Sequence, residues 1–316
     1  MGAAEARIAA AALLWLWSCR TALGADFDAD APPTFEVRAV APGVFAHLGR
    51  HLNLDAPGND DIANVGFIVG ARCVAVIDTG GSVRAGERLR AAVAQRTSLP
   101  ICYVINTHVH VDHVLGNAAF APDKPSFVGH AALAEAIARN REFFAREYGA
   151  DLDGPAGAAP IIAPDRAVQA TLELDLGGRI LSLRAWPKAH TDCDLTVFDL
   201  KTRTLWTGDL LFRERLPALD GSLPGWLRVL DDLERLPAVR VVPGHGSVAR
   251  DLKSAIEPER RYLSALSAGT RAAITRGDAM QEAIGWVAAA EQPHWQLWQS
   301  VHPRNVVRAF EELEWQ

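Results

Sequence analysis

Thr107-His108-Val109-His110-Val111-Asp112-His113 follows directly on an apolar run, Ile101-Cys102-Tyr103-Val104-Ile105. The run is short and bounded by polar residues, so it reads as a buried strand with the histidines where that strand gives way to a loop. Side chains alternate along an extended chain, which puts His108, His110 and Asp112 on one side. His113 reaches the same place only if the chain turns after Asp112. Neutral imidazole together with carboxylate is the donor set that suits zinc and similar borderline metals. A loop of solvated histidines is the ordinary alternative, but chance rarely packs this pattern behind a core strand.

Working outward, three more polar residues stand at the ends of strand-like runs: His190 in Lys188-Ala189-His190-Thr191-Asp192, Asp209 in Thr207-Gly208-Asp209, and His245 in Pro243-Gly244-His245-Gly246. A lone histidine in such a place is more often structural. Three strand-end donors accompanying an upstream cluster reverse that expectation.

The flanking sequence predicts strands over 35–40, 43–48, 65–69 and 73–77, a helix over 82–95, the strand 101–105, a short helix over 116–120, a strand at 126–129 and a helix over 131–148. A Gly/Pro/Ala stretch, 149–160, is the expected seam between halves. Strands recur at 168–174, 179–186, 194–199 and 203–207, followed by a helix at 223–236 capped by Ser222, a strand at 239–242 and a mostly helical tail from 255. Strands then helices, twice over, predict an α/β fold of two sheets packed face to face with helices outside, a four-layer α/β/β/α sandwich.

At this point the motifs resemble a known family. His108-x-His110-x-Asp112-His113, then His190, Asp209 and His245, look like the metal ligands of the metallo-β-lactamase superfamily, in order over residues 35–250. More narrowly, Ala189-His190-Thr191-Asp192, Gly208-Asp209-Leu210-Leu211-Phe212 and Leu219-Asp220-Gly221-Ser222-Leu223 are similar to the quinoprotein relay system zinc metallohydrolases of type two, as is the tail His302-Pro303-Arg304-Asn305. The resemblance implies two zinc ions: His108, His110 and His190 at the first, Asp112, His113 and His245 at the second, and Asp209 bridging them. It implies a hydrolase in which a hydroxide shared by the metals attacks an ester, thioester or lactam, with Asp112 as the catalytic proton acceptor. Asp78, in Val76-Ile77-Asp78-Thr79-Gly80, resembles an aspartate that holds a ligand imidazole; a turn or helix-capping role is the alternative. His51, Phe212 and Trp226 are expected to approach substrate. The cysteine that some lactamases place in the second zinc site has its counterpart here in Asp209, and Cys193 is expected to be a neighbour of the site. The subgroup implies a link to a periplasmic quinoprotein dehydrogenase that uses pyrroloquinoline quinone.

Composition narrows the classes. The 316 residues carry a formal net charge of −6 and no basic run, which argues against a nucleic-acid partner. Arg7, the apolar segment Ile8 to Trp17 and the small residues Ala22 to Ala25 predict a signal peptide over 1–24, cleaved after Gly24 or Ala25, with lipidation at Cys19 the lesser reading. The protein is therefore expected in the periplasm or secreted, without stable membrane insertion after cleavage, with a hydrolase domain at 35–316 whose helical extension spans about 252–316. Of the remaining cysteines, Cys73 and Cys102 sit in strand-like runs and are expected to be buried thiols, not a disulfide.

Two other classes stay in view: an iron-dependent oxidoreductase of dioxygenase type, and a non-catalytic periplasmic carrier of metal or cofactor. The dioxygenase would leave His113 and His245 idle.

Overall fold

The computed structural model describes residues 35–53, 55–154, 157–158 and 161–315, with side chains at all but 153–154 and 157–158. The expected signal peptide, its cleavage point and Cys19 lie outside the described residues.

The first sheet has the order β1-β2-β3-β4-β5-β6-β9, built from Arg38–Ala41, Val44–His47, Val65–Val69, Val74–Ile77, Ile101–Ile105, Ser126–His130 and Arg166–Val168. Its first four strands run antiparallel, and β4, β5, β6 and β9 run parallel. Between β4 and β5 the chain crosses through helix α1 (Val83–Arg96), whose N-cap Ser82 accepts a hydrogen bond from the Ala85 amide. Helix α2 is the single turn Val111–Val114, and α3 is Leu133–Glu147. A two-stranded hairpin, β7 (Asp153–Gly154) with β8 (Gly157–Ala158), follows α3.

The second sheet has the order β10-β11-β12-β13-β14: Thr171–Asp175, Ile180–Ala185, Leu195–Asp199, Thr204–Phe212 and Arg240–His245. All its pairs are antiparallel except β13 with β14, which helix α4 (Leu223–Leu233) connects. Helices α5 (Leu252–Arg276), α6 (Met280–Ala283) and α7 (Trp298–Leu313) complete the chain.

Alternation in the strands shows how the layers stack. Ala75 and Ile77 of β4 join Leu181, Leu183, Val197 and Trp206 in one buried cluster between the sheets. Val74 and Val76, pointing the other way, pack on Val83, Leu89 and Val93 of α1. On the far side, Leu205 and Val241 pack under Trp226, Tyr262 and Phe310 of α4, α5 and α7. The result is two sheets face to face with helices outside each, the four-layer sandwich expected from the order of strands and helices. The tail helices form part of the outer layer of the second half.

A buried ion pair ties the two sheets together. Arg179 donates through Nε and Nη2 to both carboxylate oxygens of Asp199 (3.0 and 2.6 Å) and through Nη1 to the Val69 carbonyl of the first sheet (2.9 Å).

Two expectations need correction. The seam lies later than 149–160, because the chain returns to the first sheet as β9 and enters the second only at Thr171. Cys73 and Cys102 form a disulfide with Cα atoms 5.7 Å apart. The physical reason is the crossover: β4 and β5 are neighbours, with Val74 beside Ile101, although 29 residues of sequence separate the cysteines. Closing a loop of that size lowers the unfolded chain's entropy by an amount worth roughly 3–4 kcal/mol.

Candidate metal centre

β5 ends at Ile105, and Asn106 to His110 run to one edge of the sandwich before the chain turns into α2. The turn that His113 requires is therefore present: its amide bonds the His110 carbonyl at 3.0 Å. From the second sheet, His190 arrives between β11 and β12, Asp209 within β13 and His245 at the end of β14. Close approach of the two halves depends on glycine. A Cβ on Gly208 (φ 50°) would meet Thr107 Oγ1 at 2.6 Å, and one on Gly244 would overlap Asp209 Oδ1.

The seven side chains converge as two groups, His108, His110, His190 and Asp209 in one and Asp112, His113 and His245 in the other, with donor atoms in each within 4.8 Å of one another. Asp209 lies between them. Its Oδ1 is 3.2 Å from His113 Nε2, and its Oδ2 is 3.3 Å from His245 Nε2, 3.5 Å from His190 Nε2 and 3.7 Å from His108 Nε2.

Each imidazole has its outer nitrogen hydrogen-bonded to an oxygen of the protein. His190 Nδ1 donates to the Ala218 carbonyl and His245 Nδ1 to the Ile62 carbonyl, both at 2.8 Å. His113 Nδ1 donates to Asp78 Oδ2 at 2.8 Å, and His110 Nε2 to Asp220 Oδ2 at 2.8 Å. The Thr107 hydroxyl gives its proton to Asp78 Oδ2 (2.8 Å) and so accepts from His108 Nδ1 (3.0 Å). The outer nitrogen of each ring is thus tied to a protein oxygen, and the other ring nitrogen faces inward. His190 Nε2 and His110 Nδ1 stand 3.0 Å apart, and His108 Nε2, His113 Nε2 and Asp209 Oδ1 are buried without a hydrogen-bond partner among the described residues. A cation resolves all of these, so the donor set fits a metal pair.

Asp78 lies between the Thr107 and His113 side chains. Its left-handed φ of 54° at the end of β4 turns the carboxylate between Thr107 and His113, and Oδ1 also accepts from the Thr107 amide at 2.8 Å.

Charge in the cluster is strongly redistributed. Burial opposes charge on Asp209, yet His245, His113 and His108 outweigh it and hold the carboxyl well below the usual range. Burial likewise opposes charge on His113, but Asp209, Asp112 and Asp78 prevail and raise its pKa. His190 is pushed down to about 4, by burial first and then by His110.

A cleft of about 480 Å³ opens on both groups, with His110, Asp112, Asp209 and His245 in its walls. Of the expected substrate contacts, Phe212 lines this cleft and stacks on His245 with ring centroids 5.0 Å apart. Trp226 does not reach it: fully buried, it packs edge-on to His190 at 5.1 Å and donates to the Leu210 carbonyl, so it braces the His190 ring. His51 also lies outside the cleft lining, held to Gln296 Oε1 at 2.9 Å. Both corrections have one cause: pocket walls come from sequence-distant segments, and proximity along the chain to a ligand or a long loop does not place a side chain in them. Cys193 is buried beside Val109 and Leu133, outside both donor groups, and burial pushes its thiol up to about 12.

Sequence reasoning missed Asp220 as a partner of His110. The only available signal was the Leu219-Asp220-Gly221 turn. Asp220→Asn removes a charged acceptor and is expected to weaken metal affinity by about 10- to 100-fold. Competition with a chromogenic chelator measures this, and an unchanged affinity would remove Asp220 from the account.

A family model described as the metallo-beta-lactamase superfamily matches residues 58–245. Among solved structures, the chain is similar to a metallo-beta-lactamase from Pontibacter korlensis, with TM-score 0.59, 20% identity, and 73% of this chain and 99% of that one covered. It is similar to the DIM-1 metallo-beta-lactamase at TM-score 0.58 and 15% identity, covering 73% and 98%. The stereoselective inverting sec-alkylsulfatase Pisa1 from Pseudomonas sp. gives TM-score 0.67 and 15% identity over 88% of this chain and 50% of that one. At such identities the structural likeness carries the fold alone. The family match runs through both sheets to His245 and takes in more than half of the sequence, and on that ground the chain belongs to the metallo-beta-lactamase superfamily.

Proposed function

We propose that this protein is an exported dinuclear zinc hydrolase of a small organic ester, thioester or lactam. The observation that carries the reading is the inward convergence of imidazole nitrogens on two sides of Asp209. His108, His110 and His190 would hold one ion, Asp112, His113 and His245 the other, and Asp209 both. Ions held there supply Lewis acidity, polarising the scissile bond and bringing the pKa of water toward neutrality.

The chain's own residues do the rest. Asp112, at the cleft wall with Oδ2 3.3 Å from His245 Nε2, orients the attacking water and accepts its proton on a carboxylate oxygen. Asp78 and Asp220 keep the protons of His113 and His110 on the outer nitrogens. Phe212 and Trp226 hold the rings of His245 and His190 in place, so the site needs little rearrangement during turnover.

Export is supported by the Cys73–Cys102 disulfide, which suits an oxidising compartment, alongside the N-terminal apolar segment. The association with a quinoprotein dehydrogenase rests on motif resemblance.

The test is a panel of nitrocefin, thioesters and aryl esters with chelator-stripped protein reloaded with zinc or with iron. Zinc-restored hydrolysis of at least one class is expected. Turnover restored by iron alone, with oxygen consumed, would establish the oxidoreductase instead, and no turnover under either metal would favour a carrier.

A further inference from the structure

Tyr148 presents a hydroxyl to the cleft without a partner. It ends α3 and lines the cleft together with Asp112, and its hydroxyl makes no hydrogen bond among the described residues. The other neutral side-chain donors of α3 and the His190 loop in that lining are engaged. The Thr191 hydroxyl gives its proton to Asp194 Oδ1 at 2.6 Å, and Asn140 Nδ2 bonds the Ala136 carbonyl at 2.8 Å. A tyrosine held in a protein wall ordinarily finds a partner for its hydroxyl. Here the space beside it belongs to the cleft.

The residue is nonetheless fixed in place. Its amide bonds the Phe144 carbonyl (2.8 Å), and its own carbonyl accepts from the amides of Asp151 (3.0 Å) and Leu152 (3.2 Å). Phe144 and Leu152 are buried in the cluster that also holds Val109 and Val111, and Tyr148 packs against that cluster. The Phe143 ring meets it edge-on, with centroids 6.0 Å apart. Tyr148 and Asp112 border the cleft on one side and a recess of about 10 Å³ on the other, which Asn59, Gly81 and Asp151 complete. Burial, and then the field of Asp112, raise the phenol above its ordinary pKa of 10.0, so its proton stays on through the neutral range.

We infer that Tyr148 is the acid that serves the leaving group: its hydroxyl bonds the oxygen, sulfur or nitrogen atom that departs from the acyl carbon. This role rests on the hydrolase reading and completes its proton account. Water gives one proton to Asp112 as its oxygen bonds the acyl carbon. The bond from that carbon to the leaving atom then breaks, and the electron pair departs with the leaving atom. Tyr148 supplies that atom with a proton. Asp112 passes the proton taken from water to the Tyr148 oxygen, so both side chains end as they began. The two residues border the same two hollows, which gives this exchange a short path.

The experiment compares a poor with a good leaving group within whichever substrate class is hydrolysed: alkyl against 4-nitrophenyl esters, alkyl against aryl thioesters, or benzylpenicillin against nitrocefin. The zinc-loaded full chain and its Tyr148→Phe variant are assayed with kcat and KM read separately, and with zinc content and Tm as controls. Tyr148→Phe is expected to lower kcat by about 100-fold on the poor leaving group and by less than about threefold on the good one, which departs without an acid. KM, zinc content and Tm are expected to hold, since the aromatic ring and its packing remain. A loss that is equal on the two substrates overturns the role, because a merely structural tyrosine slows both alike, and so does no loss on either. Should Tyr148→Phe fail to fold, 3-fluorotyrosine in place of Tyr148 decides. It keeps the shape, makes the hydroxyl a stronger acid and is expected to shift the ratio of the two kcat values; an unmoved ratio overturns the role. A protein that takes up zinc yet hydrolyses nothing in the panel sinks the hydrolase reading and this role with it, whereas an active protein with a flat ratio sinks the role alone.

Discussion

Asp112→Asn keeps the volume of the side chain, removes its charge, and is expected to lower kcat by about 10²- to 10⁴-fold while the fold remains intact. Asp112 is 6% exposed, lies in the cleft wall and faces both His113 and His245 at 3.6 and 3.3 Å. Burial opposes its charge, but the field of His113, followed by the bond and field of His245, holds the carboxyl below the usual range. It is therefore an anion throughout the neutral range, free to accept a proton. The amide of asparagine has no such capacity and is a poorer metal donor, so metal content near His113 and His245 falls together with turnover. Steady-state kinetics on whichever panel substrate is hydrolysed, with circular dichroism as the folding control, is the measurement. A kcat within tenfold of the unaltered protein would take the proton-accepting role away from Asp112.

Asp199→Ala is expected to cost about 3–5 kcal/mol of stability, because it strands the Arg179 guanidinium between the sheets. For a chain of this size that corresponds to a fall in Tm of roughly 5–9 °C. Both partners are buried, Arg179 at 4% and Asp199 at 0% exposure, and Arg179 also reaches Val69 across the sandwich. The pair has a pH signature. Burial disfavours the Asp199 carboxylate, but the hydrogen bonds from Arg179 and then from Thr202 outweigh it, lowering the pKa below the ordinary 3.8. A carboxyl with a depressed folded pKa contributes stability above its unfolded pKa and loses it as pH falls through the folded value. The gap between the two proteins is thus full at neutral pH and narrows below about pH 4. Thermal melts across pH 3–7 test this; a gap under 1 kcal/mol at neutral pH would mean that the sheets are joined without the pair.

The convergent candidate donors were legible in the sequence because they are local events: His-x-His-x-Asp-His behind an apolar strand, and single histidine or aspartate residues at three later strand ends. The layer order was legible for the same reason, since alternation and helix periodicity act over a few residues. What escaped depends on contacts between distant segments. Cys73 and Cys102 meet only because α1 crosses over and returns beside its own strand. Asp220 reaches His110 across 110 positions, which no spacing reveals. Trp226 looked like a pocket wall from its place after Asp209, but helix α4 carries it behind His190. β9 was short enough, three residues, to be merged with the strand after it.

Whether the site is built for two ions is tested most directly by metal quantitation of protein purified without added metal. Elemental analysis against protein concentration is expected to give about two zinc ions per chain, falling to about one in His113→Ala as one donor group fails. Zinc absent from the folded, unstripped protein, or content unmoved by that substitution, would contradict the account.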